Sequence, residues 1–464
     1  MKIRGKTIIA YPWLLVGPVI VTAVVLLLVG CKAPIVSPSA TAPKTAGVSA
    51  PVSGQISPRQ QRFLADLEHR CFQYFWDEMN LHNGLIPDRA RAIGGGAHVA
   101  SIAAEGFGLT ALCIADEHHW EPHRQIYPRV LTALKFFRYQ AQCVHGFYYH
   151  FLGLRHGRRV WHCAVSSIDT ALLMAGVLTV REHFAGTAAA NMATSIYRRV
   201  DWPWMLDGHK TLSMGWKPGT GFLPYRWNSF NEGLLIYLLG LGSRTHPLPP
   251  ASWEAWTRGP LVTYAGYTFM SCPPLFTHQY PQAWFHFRGL CDHDADYFRD
   301  SRYATLANRA MCIELARRFP DYRPEAWGIT ASDSAAGYVA WGGPPATPNI
   351  NGTLVPCAAG GSIPFAPRLC IEDLMAMRKK FRNLHIYGRF GFVDAFNPLT
   401  GWVDKDVLGI DQGITLVMAE NDRTGFVWRT FMADPVARRA LHLAGFHKMT
   451  ASAPLPADTS VFSH

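Results

Sequence analysis

The stretch WGITASDSAAGYVAWGGPPATPNINGTLVPCAAGGSIPFAP, residues 327–367, carries few helix signals and no strand alternation. Gly and Pro punctuate it. Gly permits tight backbone paths, and Pro removes a donor and fixes φ. Trp327, Tyr338 and Trp341 stand near one carboxylate, Asp333. Such a stretch reads as a long loop, and loops over rigid scaffolds carry function disproportionately often. Its flanks are helical, so the fold question becomes how helices hold this loop.

Outward from the loop, helical periodicity dominates. Toward the N-terminus, SPRQQRFLADLEHRCFQYFWDEM (57–79) opens on Ser57-Pro58, a cap and first-turn pair. SIAAEGFGLTALCIADEH (101–118), YPRVLTALKFFRYQ (127–140), SSIDTALLMAGVLTVREHF (166–184) and TAAANMATSIYRRVDWPWML (187–206) follow as helices. GFYYHFLGLRHGRRVWHC (146–163) reads as a short hairpin or extended loop. A helix from near Asn228, a shorter one in PPASWEAWTRG (249–259) and a long amphipathic one over 296–322 precede the loop. IEDLMAMRKKFR, IDQGITLVMAENDRTGFVWRTFM and PVARRALHLAGF complete the set after it. About a dozen helices with little strand and elaborated loops predict an all-α (α/α)6 barrel, a double ring of helical hairpins with a site at one end. A solenoid would give a similar string.

The chain of 464 residues is 49% hydrophobic, 17% charged and 12% aromatic, a globular composition. Its net charge is +11, but the basic residues are scattered, so no nucleic-acid partner is expected. Lys2, Arg4 and Lys6 precede a long apolar run over 7–30 that ends Leu28-Val29-Gly30-Cys31. This describes an export signal. Its end resembles a bacterial lipobox, which makes Cys31 the lipidated residue, and Lys32 after it implies an outer-membrane address facing the periplasm. The run is also long enough to remain as a transmembrane anchor. The expected organisation is a signal over 1–30, a Pro/Ala/Ser/Thr tether over 31–56, a catalytic domain over 57–448 and a loose tail over 449–464. Nine further cysteines show no CxxC or zinc spacing; an exported chain can form disulfides, an odd count leaves at least one thiol free if all pairing is internal, and several, such as Cys113, read as buried small hydrophobes.

Several segments together resemble the glycoamylase-like domain family. That family includes the endo-β-1,2-glucanases of glycoside hydrolase family 144 and a domain of cyclic β-1,2-glucan synthases. The segments are QYFWDEMNLHNGLIPDR (73–89), SIAAEGFGLTALCIADE (101–117), SSIDTALLMAG (166–176), RVDWPWML (199–206), LSMGWKP (212–218), FNEGLLIYLLGLGSRTHPLP (230–249), LFTHQYPQAWFHFRGL (275–290), WGITASDSAAGYVAWGGPP (327–345) and YGRFGFVDAFNPLTGWVDKDVLGIDQG (387–413). The resemblance spans about residues 60–447. It implies the (α/α)6 barrel and hydrolysis of β-glucan, most readily endo-cleavage of β-1,2-glucan, without metal or cofactor. The alternatives are an inactive sugar-binding envelope lipoprotein and a hydrolase of another linkage. The partners implied are an oligo- or polysaccharide and the membrane through the lipidated N-terminus, with the protein a monomer.

Glycoside hydrolysis uses two carboxyl groups, one kept protonated. By resemblance Glu232 of the NE motif is the candidate general acid; the plain alternative is a first-turn Glu favoured by the helix dipole. Asp169, in SSIDTALL, is a second acidic candidate or a buried ion-pair partner. Asp333 and Asp411 are candidate bases or hydroxyl binders, and Asp394 is a weaker one. Trp161, Trp216, Trp327, Tyr338 and Trp341 are candidate sugar platforms, about half of them expected to touch sugar. His278, Gln279 and Arg288 offer directional donors for hydroxyls. The sequence departs from the family pattern at Ser166 and His286, where acids are usual.

Overall fold

The computed structural model describes residues 56–345 and 349–449. The expected signal, the tether up to residue 55 and the tail from residue 450 lie outside the described residues.

The helices are α1 (Pro58–Glu78), α2 (Ile102–Glu117), α3 (His123–Tyr139), α4 (Ser167–His183), α5 (Ala188–Arg198), α6 (Leu234–Gly242) and α7 (Tyr280–Trp284), then α8 (Tyr297–Glu314), α9 (Pro356–Gly360), α10 (Pro367–Lys380), α11 (Gly409–Arg423), α12 (Phe426–Ala433) and α13 (Pro435–Leu443). They form the (α/α)6 barrel. Its inner ring is α2, α4, α6, α7, α9 and α11, and its outer ring is α1, α3, α5, α13, α8 and α10. Helix α12 packs on α4, α7, α11 and α13. Phe426 meets His183 at the end of α4, and Trp428 bonds to Asn421 near the end of α11. So α12 closes the barrel at the C-terminal ends of the inner helices.

Local chemistry accounts for the starts of these helices. Ser57 and Gln60 form a reciprocal capping box on α1, worth about 1 kcal/mol. Ser101 and Ser166 cap α2 and α4, and Asp296 caps α8. The inner helices α2 and α4 are apolar all round, as buried helices must be. They meet backbone to backbone. A methyl group on Gly106 would lie 2.1 Å from the Leu172 carbonyl oxygen. The strands are short and sit in the loops. The segment 146–163 holds strands Phe147–Tyr148 and Phe151–Gly153, as its extended reading predicts.

Four expectations need correction. The helix read from near Asn228 begins at Leu234. PPASWEAWTRG holds only the 3-10 turn Pro250–Ser252, because Trp253 and Trp256 are both buried in the core instead of continuing a spiral. The helix read over 187–206 ends at Arg198, and a separate 3-10 turn follows at Trp202–Leu206. The long loop hides an inner-ring helix, α9, in PCAAG, whose composition opposes helix formation in isolation. Packing decides it: Gly360 lies so close to Thr415 of α11 that a methyl group there would approach within 2.5 Å.

The nine cysteines of the described residues form no disulfide, and seven are buried. No helix among the described residues is long and apolar enough to cross a membrane.

Candidate active site

The N-terminal ends of the inner helices gather the acidic groups. A helix N-terminus favours a nearby carboxylate, since its unpaired N–H groups carry partial positive charge. Asp169 lies in the first turn of α4, with its backbone N–H donating to Ser166 Oγ at 3.2 Å. Glu232 occupies the turn just before α6. Cys357 lies in α9 and Asp411 in the first turn of α11. Because α4 is 17 residues long, about 25 Å separates this end of the barrel from the end closed by α12.

Glu232 is set deep yet partly open to solvent. Burial pushes its carboxyl up to about 7, and the charge of Asp169 adds to the rise. A carboxylic acid in that state can donate a proton near neutral pH. Asp169 is buried, and His150 Nδ1 stands 3.2 Å from its Oδ2. His150 stacks on Phe151, whose edge meets Trp161.

A second acidic group is formed by Asp333, Asp394, Asp404 and Asp411. Asp394 is 1% exposed, and its Oδ2 accepts the Asp333 backbone N–H at 2.7 Å. Burial, then the charge of Asp411, holds Asp394 well above the usual carboxylate range, so it stays neutral. Burial pushes Asp411 up to about 6, against hydrogen bonds from the Asp394 carboxyl and the Cys357 thiol that pull it down. Asp394 therefore donates and Asp411 is the ionisable member. Arg89, on the strand β1 (Arg89–Arg91), pairs with Asp333 and with Asp88 at 3.1 Å. This strand runs antiparallel to β2 (Asp406–Leu408), which leads straight into α11. Asp333, Asp394 and Asp404 each offer an oxygen within 4.8 Å of the others, a spacing that suits an oxygen-liganded cation. Arg89 already supplies positive charge there.

Tyr338 lies within electrostatic reach of both acidic groups. It sits on a small hairpin closed by the Ser332–Val339 bridge, with Gly337 at φ 104°. Burial raises its hydroxyl, followed by the charges of Asp394, Glu232, Asp411 and Asp333. Tyr280 feels Asp411 and Glu232 in the same way.

The expected aromatic platforms divide. Trp161 is 54% exposed, and Trp216 and Tyr338 are partly exposed. Trp216 lies on a strand paired to the one that precedes Asp169. Trp327 is fully buried, and its backbone N–H donates to Asp373 Oδ1 at 2.8 Å. Trp341 is 3% exposed, and its indole donates to Ser332 Oγ at 2.9 Å, bracing the loop. These two are core, not platforms.

The three polar candidates are also corrected. Gln279 is fully buried and spends its amide nitrogen on the Ala358 carbonyl and Ser362 Oγ. His278 is buried under Phe230, its Nδ1 3.4 Å from Asp300 Oδ2, and burial lowers it to about 3. Arg288 follows the C-terminal end of α7 and lies near Trp428 of α12, so it sits at the closed end. His286 stacks on the same Trp428 at 4.1 Å, so its departure from the family pattern falls outside the cleft. Arg89, His150, Tyr280, Cys357 and Asp404 escaped the sequence reading. Arg89, Tyr280 and Asp404 were legible only as parts of motifs, and His150 and Cys357 carry no local signal of a site.

Fold and site define an α/α barrel with a carboxylate cleft at the N-terminal ends of its inner helices. Residues 224–435 match the family model described as "Putative glucoamylase". It is 25% identical over 432 residues to an exo β-1,2-glucooligosaccharide sophorohydrolase (non-reducing end) from Parabacteroides distasonis. That alignment covers 84% of this chain, which spans 59% of the relative's length. The structure is similar to an endo-β-1,2-glucanase from Chitinophaga pinensis, in complex with sophorotriose and glucose. The TM-score is 0.79 and the identity 27%, covering 85% of this chain and 99% of that one. A β-1,2-glucanase from Parabacteroides distasonis shares the fold, with a TM-score of 0.78 and 23% identity over 83% of this chain and 60% of that one.

Proposed function

We propose that the protein is a glycoside hydrolase that cleaves β-glucan, with internal cleavage of β-1,2-glucan as its reaction. The observation that carries this is Glu232, a carboxyl raised to about 7 in a cleft that also holds the ionisable Asp411. Glu232 protonates the leaving glycosidic oxygen. Asp411, oriented by Asp394 and Cys357, acts as the base toward water. Burial keeps Glu232 protonated, and the charge of Asp169 adds to the effect. Trp161, Trp216 and Tyr338 provide faces for pyranose rings. The similarity to proteins that act on β-1,2-glucans supports the linkage.

The N-terminal sequence supports an exported lipoprotein anchored through Cys31. Fractionation of cells making the wild type and Cys31→Ala tests this, with loss of membrane association expected in the variant.

Product analysis tests the reaction. Residues 57–464 are incubated with linear β-1,2-glucan, β-1,3-glucan and starch, beside Glu232→Gln. A ladder of short oligosaccharides from the β-1,2 polymer alone, absent in the variant, is expected. Sophorose as sole product would replace internal with terminal cleavage, and no release from any polymer would overturn the reading.

A further inference from the structure

A second charged feature lies on the outer wall, between α1 and α10. Arg59, Arg62, Arg378, Lys379 and Arg382 line one groove there, against the single carboxylate Asp66. Asp66 is already engaged by Arg70 at 2.9 Å, Arg378 at 3.2 Å and the Tyr387 hydroxyl at 2.8 Å. Among the described residues, no carboxylate lies within 4 Å of Arg59, Arg62, Lys379 or Arg382. The floor is apolar, formed by Phe63 and Met375. The groove shares no residue with the cleft.

Helix stability explains only two of these five cations. Arg378 and Lys379 sit in the last turn of α10, where the dipole favours positive charge. Arg59 and Arg62 sit at the opposite kind of end, in and beside the first turn of α1. That turn holds no acidic residue. Cations there oppose the dipole and lie close to the cations of α10, so they cost stability unless an anion joins them.

The sequence says where such an anion lies. Only 26 residues separate Cys31 from Pro58, a chain at most about 90 Å long. Residues 1–56 contain no Asp or Glu. The groove thus opens on the first turn of the helix that the tether leads into. We propose that this groove docks the phosphate-bearing headgroups of an anionic lipid surface, holding the barrel against the membrane to which its N-terminus is tethered. This rests on the envelope reading above but not on the glycosidase chemistry. Arginine stems lie over the apolar floor while their guanidinium groups hold phosphate oxygens by paired N–H donors.

The test uses residues 57–464, which lack the lipidation site. The Chitinophaga pinensis protein is covered over 99% of its chain by this fold, so the barrel is a self-sufficient unit. Cosedimentation is measured with phosphatidylcholine vesicles, with and without about 30 mol% phosphatidylglycerol, at low and high salt. The wild type should bind only the anionic vesicles and release as salt rises. Arg59→Glu with Arg62→Glu should weaken binding about thirty-fold or more. The same variant should melt no lower than wild type, since glutamates suit a helix N-terminus, and should hydrolyse glucan at the wild-type rate. Equal binding by variant and wild type, or no binding to anionic vesicles at low salt, overturns the proposal. Tighter binding to dextran sulfate than to vesicles overturns it too, assigning the groove to acidic glycans.

Discussion

At the scale of single residues, the two carboxyls proposed as acid and base differ because their surroundings differ. Glu232 is raised to about 7 and Asp411 to about 6. With Glu232 protonated and Asp411 ionised in the active form, kcat/KM should trace a narrow bell, rising near pH 6 and falling near pH 7. Glu232→Gln should remove the falling limb and lower kcat by about 10²–10⁴-fold. Asp169→Asn removes a charge that raises Glu232, so the falling limb should move to lower pH; an unmoved limb would separate Asp169 from the acid. Asp394 serves Asp411 as a neutral donor. Asp394→Asn keeps a donor and should retain most activity, whereas Asp394→Leu should not; equal loss in both would refute the donor role. Glu232, Asp169, Asp333, Asp394 and Asp411 were legible because they stand in motifs, whereas the place of Asp404 beside Asp333 and Asp394 was not. Trp327, Gln279 and Arg288 were misassigned because residue type announces hydrogen-bonding or stacking capacity but not the side of the wall it faces.

At the scale of elements, the ring is fixed by how closely its inner helices approach. Gly176 of α4 faces the Gly106 carbonyl of α2, where a methyl group would lie 2.2 Å from the oxygen. Gly176→Ala should therefore destabilise the fold by about 3 kcal/mol, read as a lowered denaturation midpoint. Gly388→Ala, at a site with no atom within 4 Å of the added methyl, should leave the midpoint nearly unchanged. Helices of ten residues or more with good caps were readable, among them α1, α2, α4 and α8. Helices α7 and α9, of five residues each, were not read as such. Segments that short do not form helix by propensity and exist because neighbouring helices hold them. The split between α11 and α12 was also missed. Gly425, at φ 69°, turns the chain after the polar run at residues 420–424, a stop signal that the sequence reading passed over.

At the scale of the whole molecule, the barrel holds several acids in their neutral form. Burial raises Glu105 to about 8, and Glu232 and Asp300 to about 7. Their folded values exceed the unfolded ones, so the folded state binds more protons between about pH 4 and 8. Stability is then greatest on the acid side of that window and falls as pH rises through it. The melting temperature should drop on the order of 5 °C from pH 6 to pH 8. Glu105→Gln should flatten the slope, because a neutral amide needs no proton to be buried. A melting temperature that rises over this range would contradict the assignment. The basic groove also belongs to this scale. Arginines scattered 320 positions apart read as no block in the sequence, and only the contact of α1 with α10 makes them one surface.

The sequence by itself determined the helices, their caps, the all-α class and the motifs that carry the acids. Periodicity and capping are local properties, written in neighbouring residues. Only the tertiary structure decided which end of the barrel is open, which aromatics are core, that Asp394 is a donor to Asp411, and that Arg59 and Arg382 share a groove. Burial and charge proximity depend on residues distant in the chain. No local pattern encodes them, because a side chain's protonation and exposure are set by whatever the closed ring brings beside it.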